Sequence, residues 1–357
     1  MKNVCIVVRN KRDPYYGEEF GPAASALADG GFPADKIFLI DGADAHEFAQ
    51  TVIECKNFFD NTFVLAADAE LDALRGKLCE LVKCPPSAGV ALEVGAKHFF
   101  CLPFGGAGAA LVRGEVIPYL KTKYEVAAGS AFVRAVGVPA DLLEKVIGEA
   151  KAQAQGMEIV TSCLHGDCRI EIVYGNAPKT QVDEVMRIFA SGLKEYVYAI
   201  DDTPLNKRVY DLLLLRKQRL SVAESFTGGG VASSLIEIPG MSQTLFESIV
   251  AYDNGSKMRR LGVSQQTLDT QGAVSDETAY EMAAGLLATG NCTVALATTG
   301  IAGPQSDNTN KPVGLCYIAA GTKEAVYVYK YLFKGTREEI TKRAIVQALF
   351  LLYKQIV

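Results

Sequence analysis

The chain has 357 residues, too many for one ordinary core and enough for two or three domains. Hydrophobic residues make up 49% and charged residues 22%, a folded composition, and 36 Lys and Arg against 41 Asp and Glu give a net charge of −5 that argues against a duplex-DNA binder built on a basic face. Nine irregularly spaced cysteines predict free thiols in a reducing compartment, the start MKNVCIVVRNKRD lacks a signal-peptide core, and no apolar run nears the ~18 residues of a membrane span; a cytoplasmic protein is expected.

In chain order, apolar runs at 3–8, 36–40, 63–67 and 98–102 read as strands, and the stretches 22–28, 45–55 and 71–82 between them have helical spacing. Strand alternating with helix predicts a parallel sheet with crossover helices over about 1–123, ending in a loop at Phe104-Gly105-Gly106-Ala107-Gly108. The next region, about 124–203, segregates its elements: helices at 142–153 and 182–193, strands at 158–162, 169–174 and 196–200, and a hairpin turn at His165-Gly166-Asp167. Cys163 and Cys168 face each other across that turn with no further ligand nearby, which favours a thiol pair, able to oxidise, over zinc. From about 204 to 357 the α/β pattern returns, with strands at 220–223, 245–251, 294–298, 314–320 and 325–333, and helices before 215, at 231–236, 276–288 and 337–353.

Three clusters in this last region carry chemistry. At the strand–helix junction Glu224-Ser225-Phe226-Thr227-Gly228-Gly229-Gly230, glycines admit a ligand to the backbone, and free amides at the helix start favour an anion. The plain alternative is a tight turn with Thr227 as helix N-cap. Ser242, Tyr252 and Lys257 form the second cluster: a serine needs a base, and a lysine kept from its charge by burial can be one, although a capping serine and a solvated lysine would have the same spacing. The third is Thr298-Thr299-Gly300-Ile301-Ala302-Gly303-Pro304, a strand-end loop whose amides could form an oxyanion hole. Arg337, opening the last helix, could clamp a phosphate. No histidine follows His165, so a Ser-His-Asp triad is excluded from this region.

The C-terminal region resembles the CinA family, named for competence and damage inducibility. The motifs LSVAESFTGGGVASSL, SIVAYDNGSKMRRLGVS, QGAVSDETAYEMAAG, ATTGIAGP, KPVGLCYIA and FKGTREEITKRA occur in order between about residues 212 and 353. The chain departs from the family's pattern at Phe226, where a cysteine is usual, and at Asp253, where a serine is. The resemblance implies a nicotinamide-nucleotide amidohydrolase that converts nicotinamide mononucleotide and water to nicotinate mononucleotide and ammonia, with no cofactor and no metal. It implies Ser242 as nucleophile, with Ser225 the other candidate, Lys257 as base, Tyr252 assisting proton transfer and Thr299 beside the amide. Glu224, Ser225, Thr227, Gly228, Gly229, Gly300, Gly303 and Arg337 would bind the nucleotide, Arg337 on the phosphate. Asp253 would hold Lys257 protonated unless it points away.

The resemblance extends to a multidomain α/β architecture: an N-terminal molybdopterin-binding-like α/β domain, a small KH-like α+β connecting domain, and a three-layer α/β C-terminal domain. The N-terminal likeness lies at Cys84–Glu93 and Phe99–Pro103. It lapses at residues 63–72, FVLAADAELD, where the family has a glycine-rich loop with paired aspartates, so the domain is expected to be a silent scaffold rather than the ADP-ribose hydrolase of some members. The KH-like region has no GXXG loop, which argues against direct nucleic-acid binding. A homodimer and a pyridine-nucleotide ligand are the partners implied. The competing readings are a non-catalytic nucleotide-binding or protein-interaction relative linked to competence or DNA damage, and a metal-dependent ADP-ribose pyrophosphatase in the N-terminal domain.

Overall fold

A computed structural model describes residues 1–9, 16–85, 89–124, 129–175, 177–306 and 310–357. Most of the loop after the first strand and the middle of the Cys84–Glu93 motif lie outside the described residues. The chain divides into two units, Met1–Ala127 and Ala128–Val357.

In the first unit, β1 (Asn3–Val8), β2 (Lys36–Ile40), β3 (Asn61–Ala66), β4 (Ala91–Val94) and β5 (Lys97–Pro103) form one sheet in the order β2-β1-β3-β5-β4. β1 and β3 are buried along their whole length, because helices cover both faces of a parallel sheet. Val4, Ile6 and Val64 face α2 (Ala45–Phe58) and α3 (Asp68–Val82), while Cys5, Phe63 and Leu65 face α1 (Tyr16–Asp29), α4 (Gly105–Leu111) and α5 (Ile117–Lys123). The sequence pattern missed β4, an antiparallel edge strand of four residues. It also read residues 104–108 as a loop, whereas Gly105 opens α4. A Cβ at Gly108 would lie 2.0 Å from the Pro103 carbonyl oxygen, so glycine here permits a close turn of helix onto strand.

The second unit holds two sheets. β6 (Gly129–Val136), β7 (Met157–Leu164), β8 (Asp167–Tyr174) and β9 (Val197–Ala199) pair antiparallel in the order β7-β8-β6-β9. α6 (Ala140–Gln153) and α7 (Lys179–Gly192) pack on Val133, Ile170 and Ile172. Off that core, Arg134 pairs with Asp167 at 2.8 Å and Asp202 at 3.2 Å, and Arg169 pairs with Glu171 at 2.8 Å and Asp202 at 2.9 Å, so these cations are neutralised within the sheet. The β7–β8 turn is His165-Gly166, with φ of 51° and 94°, the left-handed pair that a two-residue hairpin requires. Cys163 and Cys168, directly opposed in register, are joined as a disulfide; the expectation of nine free thiols is corrected to seven.

The second sheet runs β11-β10-β12-β13-β14, from β10 (Leu220–Glu224), β11 (Leu245–Val250), β12 (Val294–Gly300), β13 (Leu315–Thr322) and β14 (Val326–Leu332). β10 is parallel to both β11 and β12, while β12, β13 and β14 are antiparallel. Its two faces differ in side-chain size. Val222, Val294, Leu296 and Ile318 meet α8 (Leu205–Leu215), α9 (Gly230–Ile236) and α13 (Arg337–Ile356), whereas Ala223, Ala295, Ala297 and Ala319 meet α12 (Asp276–Ala288). This is the three-layer arrangement, with α10 (Asn254–Leu261) and α11 (Gln265–Thr270), both unforeseen in the sequence, beside α12. Among the described residues no helix is long and apolar enough to cross a membrane.

Candidate active site

Parallel neighbours bring their carboxyl ends to one edge, so β10 and β11 deliver Ser225 and the segment after Val250 to the same place. Asp253 caps α10, its side chain accepting from the Gly255 amide at 2.8 Å. Lys257 lies in the first turns of that helix, and a helical side chain leans toward the N-terminus. Its Nζ therefore reaches back to donate to the carbonyls of Ala251 and Tyr252, both at 2.9 Å, and to Ser225 Oγ at 3.1 Å.

Lys257 is 1% exposed. Burial away from water brings its pKa down to about 8; the Asp253 charge opposes the fall but is the smaller influence. Asp253 thus favours the protonated lysine, as expected of its charge, but burial outweighs it, and its exposed carboxylate serves as a helix cap. The pair of carbonyls has a further consequence. A neutral Lys257 can spend both N–H groups on Ala251 and Tyr252, leaving its lone pair for the Ser225 hydroxyl.

Ser242 is not part of this group. It sits exposed in a single 3-10 turn before β11, while Lys257 follows the strand, so β11, six residues or roughly 20 Å long, runs between them. The pairing of Ser242 with Lys257 is corrected to Ser225 with Lys257. Topology carried the signal, since residues that follow two parallel neighbours share an edge while one that precedes the strand lies at the other.

The anion cradle expected at the junction is already filled. The Glu224 carboxylate, fully buried, accepts from the amides of Gly229 at 3.0 Å, Val231 at 3.1 Å and Ala232 at 3.0 Å, and from Ser248 Oγ at 3.2 Å. Glu224 is therefore the helix cap rather than a substrate ligand, and Thr227 is not the cap. Its hydroxyl pairs with Thr298 Oγ1 at 2.7 Å, buried. Gly228 and Gly229, with φ of 61° and 95°, turn the chain in the left-handed conformation that favours glycine. The amides of Phe226 and Thr227, in buried residues just after Ser225, find no acceptor among the described residues. Two amides left without an acceptor beside Ser225 are donors of the kind an oxyanion needs.

Thr299 is buried and donates to the Ala273 carbonyl at 2.6 Å, so its proton is committed away from the pair. Arg337 joins the remaining parts: one nitrogen donates to the Gly303 carbonyl at 2.6 Å and the other to the exposed Tyr252 hydroxyl at 3.3 Å. Gly303 is placed by this latch, while a Cβ on Gly300 would meet Cys316 Cβ at 2.6 Å and the Phe226 ring at 2.9 Å. Phe226 turns into a cluster with Ala302, Cys316, Ile340 and Ala344.

Residues 202–356 match the CinA C-terminal domain family. That C-terminal region is thus a CinA C-terminal domain by its match. A CinA-like protein of Fusobacterium nucleatum is 42% identical over 178 residues, 49% of this chain and 43% of that protein. A Caldanaerobacter subterraneus protein named for competence-damage inducibility is 34% identical over 268 residues, 73% of this chain and 64% of that one. The chain thus spans less than two thirds of either relative. The crystal structure of the competence/damage inducible protein CihA from Agrobacterium tumefaciens is 37% identical over 42% of this chain and 94% of that one, with a TM-score of 0.41.

Proposed function

We propose that the C-terminal region hydrolyses the carboxamide of a pyridine nucleotide, nicotinamide mononucleotide, to the carboxylate and ammonia, with Ser225 as nucleophile and Lys257 as its base. The observation that carries this reading is the buried Lys257 Nζ, 3.1 Å from Ser225 Oγ and held by two carbonyls. Neutral Lys257 takes the Ser225 proton as Oγ attacks the amide carbon, and the oxyanion is met by the amides of Phe226 and Thr227. The Lys257 ammonium passes that proton to the amide nitrogen, the C–N bond breaks and ammonia leaves an acyl-serine. Water, deprotonated by the same lysine, attacks the ester, and its collapse returns the proton to Ser225.

Phosphate recognition goes to Arg337, since Glu224 occupies the helix N-terminus. Phe226 turns into the core and Asp253 caps α10, so neither side chain takes the place of the Ser225–Lys257 hydrogen bond, which supports catalysis over ligand binding alone. The N-terminal unit is proposed as a scaffold: β3 ends at Ala66 and α3 begins at Asp68, with no glycine between them to admit a pyrophosphate.

The test is ammonia release from nicotinamide mononucleotide by the full chain, with the nucleotide product identified by mass. Release of nicotinate mononucleotide that persists in EDTA is expected, because the base is a lysine. Binding without turnover overturns the reading.

A further inference from the structure

Phe226 follows the proposed nucleophile directly and is only 6% exposed. It shares one apolar cluster with residues that come from different elements of the site. A Cβ on Gly300 would sit 2.9 Å from the ring, so the strand-end loop lies against it; Ala302 belongs to that loop; Ile340 lies one turn beyond Arg337 on α13; Cys316 comes from β13. The unpaired amides of Phe226 and Thr227 belong to the same turn that the ring anchors.

We infer that Phe226 is a positioning residue: by seating its ring between the Gly300–Gly303 loop and α13, it fixes the two amides beside Ser225 and aligns Arg337 with them. This inference rests on the proposed serine chemistry. A ring wedged on several sides allows the turn one orientation, whereas a short side chain would leave the turn, the loop and α13 to settle separately. The two amides act only on the charge that develops during reaction, so loosening them lowers kcat far more than it alters substrate binding.

The experiment compares Phe226→Ala, Phe226→Cys and Phe226→Leu with the wild-type full chain for kcat, KM and Tm, and adds labelling of Ser225 by a fluorophosphonate probe located by peptide mass spectrometry. Phe226→Ala is expected to lower kcat by about tenfold or more with KM within about threefold, since displacement of a reacting group by about 1 Å can cost ~10²-fold. Phe226→Cys should fall between Ala and wild type, and Phe226→Leu should recover most of the rate. If Phe226→Ala does not fold, Phe226→Cys carries the comparison. A fall in Tm with kcat unchanged well below that Tm would show a ring that only fills space, and would overturn the inference while leaving the proposed function intact. If the wild type releases no ammonia, the proposed function fails and labelling decides: slower labelling of Ser225 in Phe226→Ala sustains the positioning role, and equal labelling or none overturns it.

Discussion

Two strand-to-helix junctions of this chain, β10 into α9 and β3 into α3, leave the carboxyl edges of parallel strands, and they are built differently. At β3 the chain passes through Ala67 straight into α3, whose first turn carries Asp68 and Glu70, exposed and acidic. At β10 a buried carboxylate, Glu224, satisfies the α9 amides from within, two left-handed glycines turn the backbone, and the amides after Ser225 stay available. A helix N-terminus alone therefore does not make an anion site. What matters is which of its amides the chain has already used.

The comparison is broken most severely by removing the base. Lys257→Met should lower kcat by about 10²–10⁴-fold, the usual range for a positioned general base, with the fold retained by circular dichroism. At the other junction no loss is available to measure: the full chain given ADP-ribose and a divalent cation should release no AMP, and release would give β3–α3 an activity the account denies it. Arg337→Ala, which frees the Gly303 loop and Tyr252 together, should raise KM for the mononucleotide by about tenfold, the scale of one charge-assisted contact. The rate profile is a gentler probe. Because Lys257 must be neutral to act and titrates near 8, kcat/KM should climb from pH 6 and level off above about 9. Asp253→Asn keeps an N-cap but removes the charge that favours the ammonium, so the midpoint should move slightly lower, by less than about one pH unit.

Much of this fold was legible in the sequence because burial periodicity marks long elements. β1, β2 and α12 fall at the residues the pattern predicts, and the Cys163–Cys168 pair was visible from its hairpin. The omissions share a cause. β4 and α11 are four and six residues long, too short for a period to show, and α10 is polar on most of its surface. Without α10, Lys257 has no defined reach in the sequence, which is why its pairing with Ser225 rather than Ser242 does not show there. Glu224 and Thr227 were assigned to ligand binding because a sequence does not show which hydrogen bonds a fold keeps for itself.

The central claim is that Ser225, and not Ser242, attacks the amide. Side-by-side turnover of nicotinamide mononucleotide by Ser225→Ala and Ser242→Ala tests it most directly. The structure predicts that Ser225→Ala releases no ammonia above background while Ser242→Ala, altered at the far end of β11, a strand roughly 20 Å long, keeps the wild-type rate. Loss of turnover in Ser242→Ala with turnover kept in Ser225→Ala would contradict it.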